Sequence, residues 1–162
     1  MLALGSTDEK AEGWSKPGHS YAEIFKNDKW TEIEKYPFHE TIFRAALLYY
    51  DSFFYVFGGA VSVQGDKQNT KIIARLNTQF QWSKAGELIE LRRSHAVIVS
   101  QSEFLVVGGH LTSGDDALPT EKCTISESIV CSKLNENGDP NLSQYQLYPE
   151  LFNVPDSFCK NL

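Results

Sequence analysis

The chain lacks the features of a nucleic-acid-binding or membrane-spanning protein. Its 15 lysines and arginines are outnumbered by 21 aspartates and glutamates, which gives a formal net charge of -6 and a pI near 5.2. Nucleic-acid affinity depends on clustered basic side chains, so nucleic acid is excluded as the expected partner. The longest apolar stretches, 45–50 and 53–57, are interrupted by Asp51 and Ser52 and fall far short of the roughly 20 residues that a transmembrane helix needs. We expect no membrane span.

Cysteine is confined to the last part of the chain, where Cys123, Cys131 and Cys159 occur. An odd number of cysteines leaves at least one thiol that is unpaired or paired outside the chain. Residues 1–10 have no basic region followed by an apolar run, so no secretory signal can be recognised in them. The cellular compartment therefore stays open at this point.

Motifs that would predict an enzyme are also missing. His39-Glu40 begins like a zincin helix, but Phe43 stands where the second histidine ligand is needed. No glycine-rich stretch ends in Gly-Lys-Ser/Thr, which excludes a phosphate-binding loop, and no serine lies between glycines as in a nucleophile elbow. The sequence predicts no enzymatic activity, no cofactor and no metal site.

A repeat of 50 residues is the main positive feature. Residues 44–59 and 94–109 each contain two short apolar runs joined by a polar turn, and they end in Gly58-Gly59 and Gly108-Gly109. Aromatic positions repeat with nearly the same spacing, since Trp30 and Trp82 stand 52 residues apart. A third strand over 70–77 and a fourth centred on Trp82 complete a unit of four antiparallel strands. Polar loops are expected at 61–69 and 111–119.

The paired glycines followed by a tryptophan at this spacing resemble the kelch repeat over residues 20–133. The resemblance implies an all-β fold of antiparallel four-stranded blades that form an incomplete β-propeller ring, since a complete ring needs about four to eight blades. The predicted parts are an irregular leader or remnant of an upstream blade (1–18), the end of a preceding blade (19–38), two blades (39–88 and 89–134), and a C-terminal tail (135–162). The open ends of such an array predict self-association through exposed apolar sheet faces.

The second blade lacks the tryptophan and has a pair of cysteines instead. If residues 126–128 form the turn of a hairpin, Cys123 and Cys131 face each other on adjacent strands, close enough for a disulfide. Two ordinary buried thiols are the alternative. In the tail, the aromatic cluster in residues 145–152 is expected to dock on the domain surface or to begin a closing strand.

Kelch proteins are chiefly protein-binding modules, so the resemblance implies non-catalytic protein–protein recognition by a partner whose identity the sequence does not reveal. The predicted contact surface comprises the two polar loops with Arg92, Arg93 and His110, although a salt bridge is an alternative role for the arginines. His95 is expected to be a hydrogen-bonded structural histidine. The alternative functions are the substrate-recognition part of an intracellular ubiquitin-ligase adaptor and the scaffold part of a propeller oxidase.

Asn141 begins an Asn-Leu-Ser acceptor triplet for N-glycosylation in a polar, turn-rich segment. Together with the predicted disulfide, this triplet favours a secreted or extracellular protein, because disulfides persist in oxidising compartments. Cytoplasmic kelch proteins are the alternative.

Overall fold

The structure is a computed structural model that describes residues 1–7, 19–39, 41–63, 66–100, 102–111 and 118–134. These residues form fourteen β-strands and no helix, so the prediction of an all-β protein is confirmed. No helix suited to crossing a bilayer occurs in this part of the chain. The strands form one eight-stranded sheet and two three-stranded sheets.

The strands in chain order are β1 (Leu2–Thr7), β2 (His19–Lys26), β3 (Lys29–Glu32), β4 (Thr41–Phe43), β5 (Ala46–Tyr50), β6 (Phe53–Phe57), β7 (Ala60–Val63), β8 (Asp66–Asn69), β9 (Ile72–Leu76), β10 (Trp82–Glu87), β11 (Ala96–Ser100), β12 (Glu103–Val107), β13 (Glu121–Thr124) and β14 (Ile129–Lys133).

The eight-stranded sheet consists of two antiparallel halves that follow the sequence repeat. We call β5-β6-β9-β10 the first half-sheet and β11-β12-β13-β14 the second half-sheet. A short parallel pairing joins them, in which Gly86 and Glu87 of β10 lie opposite Ile129 and Val130 of β14. The outermost strands of the order, β5 and β11, also approach each other, so the sheet is nearly closed.

Aromatic and aliphatic side chains between the two half-sheets form the larger core. The Phe104 ring of β12 lies 5.2 Å from the Phe57 ring and 5.1 Å from the Tyr55 ring of β6, measured between centroids. The cluster is completed by Ile73, Ala85, Leu88, Val106, Cys123 and Ile129. A smaller core covers the opposite face of the first half-sheet with Tyr36, Ile42, Val56, Val61 and Ala74. The central strands of the first half-sheet, β6 and β9, are therefore covered on both faces, as their nearly continuous apolar runs predict.

The segment predicted as a polar loop after Gly58-Gly59 is instead a β-hairpin, and this expectation was wrong. Strands β7 and β8 pair with each other, and β7 also pairs with β4. Ala60 and Val61 are fully buried, and the Thr41 hydroxyl accepts a hydrogen bond from the Ser62 amide at 2.9 Å. Two buried apolar residues at the start of the segment are enough to fix it on the core. In the corresponding loop of the second half-sheet, residues 112–117 lie outside the described residues.

The N-terminal residues begin with a strand. β1 pairs antiparallel along its whole length with β2, and β2 pairs with β3, forming the N-terminal sheet. Of the two expectations for residues 1–18, an irregular leader therefore does not describe residues 2–7, whereas residues 8–18 lie outside the described part. The tail at 135–162 also lies outside it.

Candidate binding surface beside the paired glycines

The paired glycines allow neighbouring segments to approach the end of each repeat. All four have positive φ, namely 51° at Gly58, 107° at Gly59, 68° at Gly108 and 97° at Gly109. The Gly59 amide donates a hydrogen bond to the Arg92 carbonyl at 2.8 Å. A Cβ atom on Gly58 would lie 2.7 Å from the same carbonyl oxygen, closer than real Cβ contacts occur. Glycine is therefore required here both by the positive φ and by the close approach of the neighbouring segment.

Arg92 lies beneath this surface and forms a fully buried ion pair. Its Nη2 atom is 2.6 Å from Oε1 of Glu121, and neither side chain is exposed to solvent. The guanidinium also donates hydrogen bonds to the carbonyls of Gly108 at 2.9 Å and Pro119 at 2.8 Å. Burial lowers the pKa of Arg92, and the charge of Glu121 opposes that effect. The expectation that Arg92 contributes to a contact surface is therefore wrong, and the alternative, a salt bridge, describes it.

Glu121 connects this ion pair to the segment between the two half-sheets. Its two carboxylate oxygens accept hydrogen bonds from the backbone amides of Ile89 at 2.8 Å and Glu90 at 3.0 Å. A carboxylate that accepts two amide protons and faces a guanidinium has its buried charge fully compensated. The Arg92–Glu121 pair thus fixes the linker that follows β10 against β13.

Arg93 and His110 come together with Asn69, which the sequence did not single out. The Arg93 Nη1 atom donates to Oδ1 of Asn69 at 3.1 Å, and Asn69 Nδ2 donates to the His110 carbonyl at 2.9 Å. The Arg93 and His110 backbones exchange two hydrogen bonds of 3.2 and 3.0 Å. We call these three residues the rim cluster. Arg93 and His110 are half-buried, so part of each residue is exposed to solvent.

The rim cluster joins the end of the first predicted loop to the residue that precedes the second. Asn69 ends the β7–β8 hairpin after the first glycine pair, and His110 follows the second glycine pair directly. Because residues 112–117 of the second loop lie outside the described residues, the expectation that both loops contribute to one contact surface stays a prediction. Asn69 could have been found from the sequence, because it ends one of the two loops assigned to the predicted contact surface.

His95 is buried beside Arg92, as expected for a structural histidine, but its hydrogen bonding differs from the expectation. Neither ring nitrogen makes a hydrogen bond of normal geometry with any described residue, although the Phe57 backbone lies close enough to favour the protonated ring. Burial lowers the pKa of His95 to about 3, and the Arg92 charge acts in the same direction. The imidazole is therefore neutral at physiological pH.

This burial predicts that stability declines in mild acid. Below its ordinary pKa of about 6.5 the imidazole is protonated in the unfolded chain but stays neutral in the folded one, down to about pH 3. Between about pH 7.5 and about pH 5.5, His95 should therefore remove about 1.4 kcal/mol of unfolding free energy. Urea unfolding measures the unfolding free energies of the wild type and of His95→Leu, and the difference between them should change by this amount over the same pH range. If the two pH profiles run parallel, His95 is not buried as neutral imidazole.

The predicted cysteine hairpin is present. Cys123 and Cys131 lie opposite each other on β13 and β14, and their sulfurs form a disulfide with an S–S distance of 2.08 Å. Glu121 lies close enough to both sulfurs for the three side chains to resemble a metal-ligand set. Both sulfurs are bonded to each other, however, and Glu121 is paired with Arg92, whose positive charge opposes a cation. We assign the cluster a structural role.

The two repeated tryptophans have different environments. Trp82 is half-buried, its Nε1 donates to the Glu34 carbonyl at 2.9 Å, and the Tyr36 ring packs on it edge to face at 5.5 Å. Trp30 is 42% exposed and contacts the Phe25 ring at 5.2 Å. Asn141 and Cys159 lie outside the described residues, so their predicted roles stay predictions.

Comparisons with known proteins show similarity at the level of fold. No family model matches the sequence, and no curated protein matches it. Among the solved structures that match, one is described as "Structure of YjhT"; it is 15% identical, with a TM-score of 0.58 over 70% of this chain and 38% of that chain. The chain thus spans well under two thirds of that protein. At this identity the similarity concerns fold alone, and the chain shares the fold of part of that structure.

Proposed function

We propose that this chain is a non-catalytic protein–protein interaction module built on part of a kelch-type β-propeller. In this proposal the two half-sheets are consecutive blades, and the N-terminal sheet is the end of a preceding blade. The rim cluster carries the proposal, because it places one residue from the first repeat beside two from the second at a partly exposed position. Such a position, shared by two repeats, is where a rigid binding surface would form.

The structure beneath the rim supports a preorganised surface. Arg92 precedes Arg93 directly, and its guanidinium is fixed by the buried Glu121 carboxylate and by two carbonyl groups. A surface whose backbone is already fixed loses little conformational entropy when a partner binds, which favours affinity. The positive charge of the half-buried Arg93 favours a partner that presents carboxylates.

Charge reversal at the rim tests this function. Three proteins would each be immobilised and cross-linked to proteins of an extracellular extract: the full chain, its Arg93→Glu variant and a control, Lys29→Glu, at the exposed first residue of β3. A partner captured by the wild type would then be purified and its affinity measured by calorimetry. We expect Arg93→Glu to weaken binding at least about tenfold and Lys29→Glu to leave it unchanged. Partners that bind both variants equally well would overturn the rim as the binding surface.

We further propose that the module works in an oxidising, extracellular compartment. The disulfide is compatible with this location, and the Asn141 acceptor triplet adds sequence support. Peptide mapping by mass spectrometry without reductant, on natively expressed protein, should find the Cys123–Cys131 bridge and a glycan on Asn141. Free thiols together with an unmodified Asn141 would contradict an extracellular location and favour the cytoplasmic alternative.

A further inference from the structure

A cavity of about 480 Å³ lies between the N-terminal sheet and the turn end of the first half-sheet. Three of the apolar residues that line it are Ile24 of β2, Tyr49 of β5 and Phe54 of β6. Ile24 is only 7% exposed, and the Tyr49 and Phe54 rings contact each other with their centroids 4.8 Å apart. The volume lies within the range of about 300–1,000 Å³ that is usual for small-molecule sites. This part of the fold can therefore hold a small ligand.

Phe80 lines both this cavity and a second one of about 330 Å³. It lies between β9 and β10 with a φ of 63°, which a bulky residue rarely adopts. Asn77 fixes this turn, because its Oδ1 atom accepts hydrogen bonds from the Gln79 and Gln81 amides at 3.0 and 2.9 Å. The Asn77 carbonyl also accepts a hydrogen bond from the Phe80 amide at 3.0 Å. Strained backbone that its surroundings hold in place is typical of ligand sites, which favours a binding role for the cavity.

The charge of the larger cavity indicates the kind of ligand. Of the described residues that line it, Lys26 alone has a charged side chain, and Lys26 forms no ion pair within the described part of the chain. Lys29, which lies directly opposite Lys26 in the strand register, carries the same charge. The smaller cavity is lined by Glu32 and Glu34, which repel an anion. A positive charge beside aromatic walls complements an apolar ring that carries a carboxylate.

We propose that the larger cavity binds a small, planar aromatic carboxylate. The ring of the ligand packs against Tyr49, Phe54 and Phe80, and its carboxylate lies at Lys26. Burial of the ring supplies most of the affinity, and the exposed lysine supplies the preference for an anion. This site goes beyond the proposed function, because it lies at the start of β6, whereas the rim cluster lies beyond Gly59 at the other end of that strand.

Titration of the full chain with cinnamate and with its uncharged amide, cinnamamide, tests the ligand class, because the two probes share a shape and differ in charge. Protein ¹⁵N–¹H spectra should show cinnamate shifting the amide signals of residues 24–26 and 78–80, with a dissociation constant on the order of 1 mM. Cinnamamide should bind about two- to fivefold more weakly at low ionic strength. Lys26→Met should abolish this difference. Lys35→Met, a matched change of an exposed lysine that lines neither cavity, should keep it.

A second pair of variants tests the shape of the site. Phe80→Gly and Ser94→Gly each relieve a positive φ, of 63° and 54°, but Ser94 lines neither cavity. Phe80→Gly removes an aromatic wall, so it should weaken the binding of both probes at least about fivefold. Ser94→Gly should leave their binding unchanged.

Any of three results would overturn the proposal. The wild type might bind neither probe, the shifted amide signals might map away from the cavity, or Lys26→Met might keep the preference for cinnamate. Because Arg93 lies outside the cavity, Arg93→Glu should leave probe binding unchanged. The outcome is therefore independent of the rim proposal.

Discussion

Replacing Arg92 with methionine is expected to lower the unfolding free energy by about 3–5 kcal/mol. Methionine keeps most of the side-chain volume, so the loss comes mainly from the Glu121 carboxylate, which would stay buried without its guanidinium partner. Two carbonyl acceptors, on Gly108 and Pro119, would lose their donors as well. Chemical denaturation in urea, with the slope of the transition checked against the wild type, measures the effect.

A second substitution separates the charge from the packing. In the double variant Arg92→Met with Glu121→Gln, the buried charge is gone, and the single glutamine oxygen can still accept a hydrogen bond from one of the two backbone amides, of Ile89 or Glu90, that bond to different oxygens of the glutamate. Part of the lost stability should therefore return. A loss below about 1 kcal/mol in the single variant would mean that the ion pair is exposed to water, since surface pairs contribute that little.

Gly59→Ala is expected to destabilise the fold by about 2–4 kcal/mol, combining backbone strain with a steric clash. At φ of 107° the backbone of Gly59 is in a conformation that alanine rarely adopts. The new methyl group would also lie 2.9 Å from the Ala45 Cβ and 3.0 Å from the Phe43 carbonyl oxygen. Because Gly59 also donates to Arg92, relaxation would disturb the hydrogen bond between the two repeats. Urea or thermal unfolding of the variant and the wild type measures this loss of unfolding free energy.

Ser52→Gly is the matched control for backbone strain. Ser52 has a φ of 64° in the exposed turn between β5 and β6, so glycine would relieve strain there without removing a packed side chain. This change should be neutral or stabilise the protein by up to about 1 kcal/mol. If Gly59→Ala were tolerated as well as Ser52→Gly, the paired glycines would not be required for the close approach between repeats.

The sequence predicts the strand content well where the repeat is strict. Residues 46–57 and 96–107 form the two hairpins that the matching apolar runs indicate, and the polar turns between them lie at the expected positions. The Cys123–Cys131 pairing was also accessible, because it depends on local hairpin geometry. Local patterns thus predict local pairings.

Non-local partners were harder to predict. Nothing near Arg92 in the sequence indicates Glu121 as its partner, because β13 brings that carboxylate back to the linker after an intervening hairpin. The β7–β8 hairpin was missed because polar residues dominate its sequence, and two buried residues together with pairing to β4 decide its structure. The parallel pairing of β10 with β14 likewise joins strands from different repeats. Asn69 meets Arg93 and His110 through contacts between the two repeats that the local sequence does not indicate.

Packing of the two repeats face to face is the central claim, and a double-mutant cycle on Phe57 and Phe104 tests it most directly. The two rings belong to different half-sheets and meet edge to face, with an interplanar angle of 80°. Unfolding free energies of Phe57→Leu, Phe104→Leu and the double variant should give a coupling of about 0.5–1.5 kcal/mol, the range for aromatic pairs in contact. Additivity within about 0.3 kcal/mol would mean that the rings do not touch, and it would contradict the packing of one repeat on the next.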